Sequence, residues 1–238
     1  AAVLDSKKVK ENIKVNTSPG WIEYGGYKTS DFRNYGILGL SDIIAYSSNV
    51  GMVKLCKDQG SSFLVNKYAD FGIGVIPSNI LIPSREGFLP EASNLIDRDK
   101  FSSCYGYGLS MSAMQIAQAY QVFANKGIFK ELSLFKNKNL NNPKAEVRII
   151  SIETNKLVNE MLVSAVNSSY GTARKARIEG VLVAGKTGTA QKRAQEEMFY
   201  TVSFSGFAPA YNPKLLAVIV LHGLHGNEHS GGSIAAPI

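Results

Sequence analysis

Gly185-Lys186-Thr187-Gly188-Thr189-Ala190 follows an apolar run in which Val181 and Val183 alternate with other residues. Such alternation of β-branched residues is typical of an extended strand, so the segment 179–184 is predicted to be a strand that delivers Lys186 to its end. A lysine, a hydroxyl and a glycine without a side chain would let a peptide-like ligand lie along this backbone as an added strand. The other elements are placed relative to this predicted strand.

Helices and further strands are indicated on both sides of the motif. Two apolar runs, at roughly residues 200–207 and 215–221, predict two strands after it. Before it, Ser112 and Gln115 have the spacing of a capping box and predict the start of a helix. Ser151 precedes an apolar stripe that predicts another helix. Because the helices come first and the adjacent strands last, we predict an α+β fold in which helices pack on an antiparallel sheet.

The first hundred residues carry weaker signals. Residues 1–6 have no capping residue ahead of them and indicate the end of a helix already begun. Residues 15–40 are rich in glycine, proline and aromatic residues, which predicts a long ordered loop. A helix is predicted from Ser41 as N-cap, with a break at the polar triplet 47–49. Two further features are predicted, namely a helix capped by Ser61 or Ser62 and ended by Gly72, and a loop from Ile73 to Ser103.

Composition limits the class of protein. With 238 residues, 45% of them hydrophobic, the chain can bury a substantial core as one large domain or two small ones, and we favour one domain over residues 1–238. The longest apolar run has seven residues, against about 20 for a membrane-spanning helix, so we expect no span and no signal peptide within these residues. The net charge of +7 is scattered, which favours a generally basic surface over a nucleic-acid partner. Cys56 and Cys104 can form one bridge, but the sequence does not indicate it.

Ser47-Ser48-Asn49 is the second candidate for chemistry. Ser47 and Asn49 at a helix junction can both face one cleft, where the hydroxyl relays a proton and the amide holds a substrate carbonyl. Taken alone, the triplet is more simply explained as ordinary helix capping. Its combination with the Lys186 motif favours a functional site.

Six stretches of the chain form an ordered set of motifs: Thr17–Trp21, Arg33–Gly36, Ser47–Gly51, Gly106–Ser110, Tyr170–Arg174 and Val183–Gln191. Together they resemble the transpeptidase domain of the class B penicillin-binding proteins, most closely the FtsI type used in cell division, over nearly the whole chain. The resemblance implies the penicillin-binding transpeptidase fold, related to that of serine β-lactamases, with an all-helical lobe against an antiparallel sheet. It also implies peptidoglycan cross-linking through a serine acyl-enzyme, on the periplasmic face of the inner membrane.

The partners implied by the resemblance are stem peptides ending in D-Ala-D-Ala, β-lactams, and divisome membrane proteins bound through parts outside this chain. No cofactor is implied. Ser47 would shuttle a proton to the leaving D-alanine, Asn49 would hold the substrate amide, and Lys186 would support the proton network. The hydroxyls of Thr187 and Thr189 would bind the terminal carboxylate beside Gly188, and the Thr189 N–H would serve as an oxyanion donor.

One departure from the family pattern concerns the nucleophile, which belongs to a Ser-x-x-Lys motif ahead of the Ser47 triplet. No such motif lies there, and the resemblance places it about eight residues before Ala1, so we expect a transpeptidase domain truncated ahead of that residue and inactive by itself. The Ser-x-x-Lys that the chain does contain, from Ser133 to Lys136, falls in a polar, Asn-rich region. We interpret it as a surface segment away from the cleft.

Two other functional classes share some of these features. A penicillin-recognising hydrolase or β-lactam sensor has the same motifs, but usually lacks the long 21–36 loop and the Gly106–Ser110 stretch. A non-catalytic scaffold is the third possibility. A second departure is His229-Ser230 before Gly231, where the family usually has aromatic residues, so an aromatic wall over a β-lactam is doubtful. Of the histidines at 222, 225 and 229, we expect solvated loop side chains and no metal site.

Overall fold

The computed structural model describes residues 1–75, 85–133, 146–194, 197–226 and 229–238. Its helices are α1 Ala2–Asp5, α2 Leu40–Tyr46, α3 Asn49–Cys56, α4 Ser61–Asp70, α5 Asp97–Ser103, α6 Ala113–Ala124, α7 Ile152–Asn167 and α8 Gly231–Ile234, with short 3-10 turns at Ala92–Asn94 and Arg174–Ala176. Its strands are β1 Val15–Asn16, β2 Trp21–Tyr24, β3 Tyr27–Ser30, β4 Ile37–Leu38, β5 Ile128–Phe129, β6 Val147–Arg148, β7 Ala184–Ala194, β8 Glu197–Ala208 and β9 Leu215–Leu224.

The main sheet is antiparallel, with strand order β7-β8-β9. Lys186 lies opposite Ser205 and Thr189 opposite Val202, which fixes the register of the motif strand. Helix α7 packs against β7, α6 against β8 and β9, and α8 against β7 and β8. The predicted α+β fold is therefore confirmed, and within the described residues β7 has a partner strand on one side only.

The core divides between the sheet and the helical lobe. On the sheet side, buried Val202 and Phe204 of β8 pack with Val166 of α7 and with Val183. In the lobe, a disulfide joins Cys56 at the end of α3 to Cys104 just after α5, with Cα atoms 6.1 Å apart. Small two-stranded pairs, β2 with β3 and β1 with β4, accompany these helices. The lobe is therefore mainly helical.

Several helix predictions are confirmed. Ser112 caps α6, accepting from the Gln115 N–H at 3.3 Å while its own N–H donates to Gln115 Oε1 at 2.9 Å. Ser151 caps α7 by accepting from the Thr154 N–H. The polar triplet lies at a helix junction, since Ser47 ends α2 and Ser48 caps α3.

Other boundaries were wrong for local physical reasons. The motif strand begins at Ala184, because a turn at Gly180, where φ is +74°, precedes it; Lys186 is therefore its third residue. The predicted loop 15–40 contains the β2–β3 hairpin, which turns at Gly25-Gly26. The predicted loop 73–103 contains α5, whose first turn carries Asp97 and Asp99, a favourable charge at a helix N-terminus.

The N-caps of two helices were also assigned wrongly. Helix α2 is capped at Gly39 and not at Ser41, because the Asp42 carboxylate accepts the Gly39 N–H at 3.1 Å and starts the helix earlier. Helix α4 is capped by Gly60, so Ser61 is its first residue. None of the helices in the described ranges combines the length and the apolar character that a bilayer crossing requires.

Candidate active site

The α2–α3 junction holds Ser47 in a left-handed conformation, with φ 59° and ψ 47°. Asp31 stabilises this junction: one carboxylate oxygen accepts the Ser48 hydroxyl at 2.6 Å and the other accepts the Val50 N–H at 3.0 Å. Ser48 Oγ in turn accepts the Gly51 N–H at 2.9 Å. The serine that was expected to be functional is thus exposed at the turn, while its neighbour is buried and forms the cap.

Lys186 lies directly beside Ser47, and its Nζ donates to Ser47 Oγ at 2.9 Å. It also donates to the Thr187 carbonyl at 3.0 Å and lies 3.5 Å from Thr172 Oγ1. Burial lowers the pKa of Lys186 to about 8, because removing the ammonium group from water disfavours its charged form. The ammonium and a neighbouring hydroxyl are thus placed for proton exchange close to neutral pH.

The other motif residues have partners within the protein. Thr187 Oγ1 donates to Thr172 Oγ1 at 3.1 Å, and Thr189 Oγ1 accepts the Gly231 N–H at 3.0 Å. A Cβ placed on Gly188 would lie 2.6 Å from the hydroxyl of Ser203 on β8. Packing against Ser203 therefore explains why residue 188 is a glycine. From the sequence we had attributed the missing side chain to space for a peptide-like ligand.

The open edge of β7 presents backbone donors in alternation. The Gln191 N–H donates to the Tyr107 hydroxyl at 3.3 Å, so it points away from β8. Since the N–H groups of alternate residues in an antiparallel strand point to the same edge, those of Thr187 and Thr189 share this direction. A peptide can add to this edge as a strand, and Tyr107 marks its limit at Gln191.

Asn49 begins α3, and its side-chain amide donates to the carbonyl of Ser30 at 3.2 Å. This bond ties the amide to the end of β3. The structure therefore brings Ser47, Lys186 and Thr187 into one hydrogen-bonded group, with Asn49 two residues from Ser47 and Thr189 two residues beyond Thr187 on the same strand.

Comparison with known proteins decides the family. Residues 1–238 match the family described as the penicillin binding protein transpeptidase domain. The chain belongs to this family. It is 34% identical over 97% of its length to a peptidoglycan D,D-transpeptidase FtsI of Buchnera aphidicola, of which it covers 40%, and 31% identical over 97% to FtsI of Escherichia coli, of which it covers 39%. The chain thus spans about two fifths of the length of these relatives.

A solved structure shows the same fold. The chain is similar to the transpeptidase domain of Burkholderia pseudomallei penicillin-binding protein 3, with a TM-score of 0.90 and 31% identity; the match covers 99% of this chain and 72% of that one. The resemblance stated from the motifs is therefore confirmed, and the fold is that of the penicillin-binding transpeptidases.

Three residues of this transpeptidase domain have structural roles that the sequence reasoning did not assign. Thr172 contacts both Lys186 and Thr187. It lies inside the matching stretch Tyr170–Arg174, and that stretch was the sequence signal that could have pointed to it. Asp31 anchors the α2–α3 junction, and Tyr107 lies at the end of the open edge. No periodic or spacing pattern links these residues to the motifs, because each acts across a tertiary contact.

The Ser-x-x-Lys segment is only half within the described residues. Ser133 is exposed, and Lys136 lies outside the described ranges. Our interpretation of the segment as remote from the cleft stays a prediction.

Two of the three histidines contact different residues. His222 belongs to β9, which corrects its placement in a loop, and its Nδ1 lies 2.7 Å from Thr201 Oγ1. His229 stacks on Tyr200, with ring centroids 3.8 Å apart. In the part of the chain that the structure describes, no group of three or more His, Cys, Asp or Glu side chains has the arrangement of a metal site.

Proposed function

We propose that residues 1–238 form the catalytic domain of a serine-type peptidoglycan D,D-transpeptidase, a target of β-lactams, which cross-links stem peptides in septal wall synthesis. The observation that carries this proposal is the 2.9 Å contact between Lys186 Nζ and Ser47 Oγ, at a strand whose outer edge can bind a peptide, in a member of the penicillin-binding transpeptidase family. The names of the FtsI relatives support the reaction and the septal role.

In the proposed reaction, a donor peptide ending in D-Ala-D-Ala lies along β7. A serine hydroxyl gives up its proton to the lysine of the same upstream Ser-x-x-Lys motif, its oxygen attacks the carbonyl carbon of the bond between the two alanines, and the Thr189 N–H donates to the developing oxyanion. The carbon–nitrogen bond breaks, and the departing D-alanine receives a proton relayed by Ser47 next to Lys186. Asn49 holds the substrate amide, and the hydroxyls of Thr187 and Thr189 bind the terminal carboxylate.

The attacking serine is proposed to come from a segment ahead of Ala1. Helix α1 supports this placement, since Val3 packs on the Cys56 and Cys104 cluster of the lobe while Leu4 packs on a sheet-side cluster that includes Phe207. A serine about eight residues upstream would lie about 12 Å back along such a helix, at 1.5 Å per residue. A helix N-terminus there would direct free N–H groups at the oxyanion.

An apolar pocket of about 310 Å³ lies beside this end of the chain, with a lining that includes Ala1, Met52, Tyr68, Tyr120 and Phe123. Burial raises the pKa of the Tyr120 hydroxyl, in keeping with a site from which water is excluded. An amphipathic helix would cover this surface.

The test is intact-mass spectrometry with benzylpenicillin on the 238-residue chain and on a chain extended upstream to include the Ser-x-x-Lys motif. We expect a stable adduct on the extended chain, none on the short chain, and none when the upstream serine is replaced by alanine. An adduct on the short chain would refute the proposed source of the nucleophile. Rapid loss of the adduct from the extended chain would favour the hydrolase or sensor instead.

We further propose that the domain works on the outer side of the bacterial inner membrane, attached and bound to divisome proteins through parts outside this chain. The Cys56–Cys104 disulfide supports this location, because such bonds persist in oxidising compartments and are rare in the cytosol. A fusion to a reporter that is active only outside the cytoplasm should be active and concentrated at the division site. A signal spread evenly over the cell envelope would contradict the septal role.

A further inference from the structure

We propose that the pocket beside Ser47 binds the acceptor amino acid, the one whose amine takes the acyl group, through its free carboxylate; this inference rests on the proposed function. The pocket has a volume of about 390 Å³ and is lined by Arg33, Asn34, Tyr35, Ile37, Leu38, Asp42, Tyr46 and Tyr170. Among these lining residues there is one cation and one anion, which complements an amino acid with a free amine and a free carboxylate.

Two pocket residues are close in the chain to the reacting groups. Tyr46, which lines it, directly precedes Ser47, the hydroxyl that Lys186 contacts. Tyr170, on the same wall, precedes Thr172 by two residues, and the Thr172 N–H donates to the Ala45 carbonyl in α2 at 3.0 Å. Two of the pocket residues thus belong to segments that lead directly to groups in contact with Lys186.

Three stacked tyrosines make the pocket wall rigid. Tyr46 stacks on Tyr35 at 4.7 Å and on Tyr170 at 4.6 Å between ring centroids. The Tyr170 hydroxyl donates to Asp42 Oδ1 at 3.1 Å, and Asp42 Oδ2 accepts the Gly39 N–H at 3.1 Å. The Asp42 carboxylate is thus held in place by two donors and takes part in none of the ion pairs within the described ranges, with the Lys14 ammonium nearby on its Gly39 side.

Arg33 supplies the opposite charge. Its side chain is exposed, its guanidinium lies 5.3 Å from the centre of the Tyr35 ring, and none of the ion pairs within the described ranges involves it. The guanidinium also hydrogen-bonds the Tyr35 side chain, and its five N–H donors leave others for bidentate binding of a carboxylate. Arg33 is therefore the group that would fix the acceptor.

The second half of the proposed reaction gives this location a chemical reason. The acceptor amine attacks the ester carbonyl of the acyl-enzyme, a carbon–nitrogen bond forms, and the bond between the carbonyl carbon and the serine oxygen breaks. The proton lost by the amine passes through Ser47 to the serine oxygen. Since the donor peptide occupies the β7 edge in the proposed function, the proposal places the acceptor next to Ser47, whose chain neighbour Tyr46 lines the pocket.

The test compares two arginine variants of the whole protein that contains this chain. Arg33→Gln removes the proposed carboxylate ligand. Arg98→Gln is the matched control, because Arg98 also lies over a tyrosine ring, 5.9 Å from the centre of Tyr27, but does not line the pocket. The acyl-enzyme is formed from a thioester analogue of the donor, and its partition between water and an added acceptor is measured with D-alanine and with D-alaninamide.

With D-alanine, we expect Arg33→Gln to need about tenfold more acceptor for the same yield of transfer product, because a charge-assisted bidentate bond is lost. The rate of acylation of Arg33→Gln by penicillin should stay within about twofold of that of the unmodified protein. Arg98→Gln should behave like the unmodified protein in both measurements. The response to D-alaninamide, which has no carboxylate, should be unchanged by Arg33→Gln.

Equal transfer to D-alanine by the two variants, with acylation intact, would overturn the pocket assignment. So would an equal loss of transfer to D-alanine and D-alaninamide in Arg33→Gln, since that would point to a disturbed pocket and not to carboxylate binding. If the unmodified protein were not acylated by penicillin at all, the proposed function itself would fail, and the acceptor pocket with it.

Discussion

At the scale of single residues, one lysine sets the chemistry of the site. Lys186 contacts Ser47 across 139 positions of sequence, and burial lowers its pKa to about 8. Below that pH the side chain is an ammonium that donates to Ser47; above it the amine is neutral. A site of this kind changes its charge within the range in which bacteria grow, so its rate should depend on pH.

The acylation rate constant with penicillin should fall as pH rises through about 8, because Lys186 then loses the positive charge that supports the proton relay. Lys186→Gln should abolish this fall in rate above pH 8. It should also lower the rate constant about 10- to 100-fold, the range for one hydrogen bond to a charged group. Lys192→Gln replaces an exposed lysine on the same strand, and this variant should keep both the rate constant and its fall above pH 8. Stopped-flow labelling at several pH values checks this, and a rate that rises through pH 8 would show that the neutral amine acts as a base instead.

Ser133 belongs to the Ser-x-x-Lys segment that we interpret as unrelated to catalysis. In the whole protein, Ser133→Ala should leave labelling by a fluorescent penicillin within about 20% of the unmodified level, since the side chain is exposed and small surface changes rarely matter. Gel fluorescence gives the readout. Loss of labelling would mean that the motifs are permuted and that Ser133 is the nucleophile.

At the scale of secondary structure elements, the site depends on a close approach between α8 and β7. The Gly231 N–H donates to Thr189 Oγ1, and a Cβ on Gly231 would collide with the carbonyl oxygens of Gly188 and Ser203, the latter at 2.7 Å. Only glycine allows the helix to lie this close to the backbone of two strands. The orientation of the Thr189 hydroxyl is thus set by an element far from it in sequence.

Gly231→Ala should therefore lower the free energy of unfolding by about 1–3 kcal/mol, the usual cost of overpacking, and should also slow acylation because the added Cβ moves the N–H of residue 231 away from Thr189 Oγ1. Gly60→Ala is the matched control: no atom lies within 4 Å of the added Cβ and φ is −68°, so only the lower preference for alanine at the N-cap of α4 acts, and its effect should stay below about 1 kcal/mol. Urea unfolding followed by circular dichroism measures both. Equal stability of the two variants would contradict the close packing of α8.

At the scale of the whole molecule, the candidate site joins the helical lobe, which carries Ser47, to the sheet, which carries Lys186. The lobe that carries Ser47 and Asn49 is tied together by the Cys56–Cys104 disulfide, which spans a sequence separation of 48 residues and joins the end of α3 to the end of α5. Tyr107, at the limit of the open edge, lies three residues after Cys104. The disulfide therefore joins the helix that follows Ser47 to the segment that carries Tyr107.

Replacing both cysteines, Cys56→Ala with Cys104→Ala, should lower the free energy of unfolding by about 2–4 kcal/mol, since a cross-link over a loop of this length restricts the unfolded chain. Denaturant unfolding with and without reductant checks this. Reductant should destabilise the unmodified protein to a similar extent and leave the double variant unchanged. If reductant has no effect on the unmodified protein, the bridge does not stabilise the lobe.

The sequence by itself determined the family, the α+β class and the six stretches that match the family's motifs, because these depend on local patterns. The capping box at Ser112 and the caps at Ser151 and Ser48 are formed by contacts between residues three positions apart, and the sequence indicated a capping box, a cap and a helix junction at these three places. The glycine-rich segment 15–40 was predicted as a loop, but it contains a hairpin that turns at Gly25-Gly26. Glycine is common both in hairpin turns and in loops, so composition alone does not distinguish the two.

Only the tertiary structure decided which residues meet. The contacts of Lys186 with Ser47 and Thr172, of Asp31 with Ser48, and of Gly231 with Thr189 join segments 14 to 139 positions apart. No periodicity encodes such pairs, because they result from how helices and strands pack to bury their apolar faces. The same packing lowers the pKa of Lys186 and forms the tyrosine-lined pocket beside Ser47, and neither property belongs to any one segment of the chain.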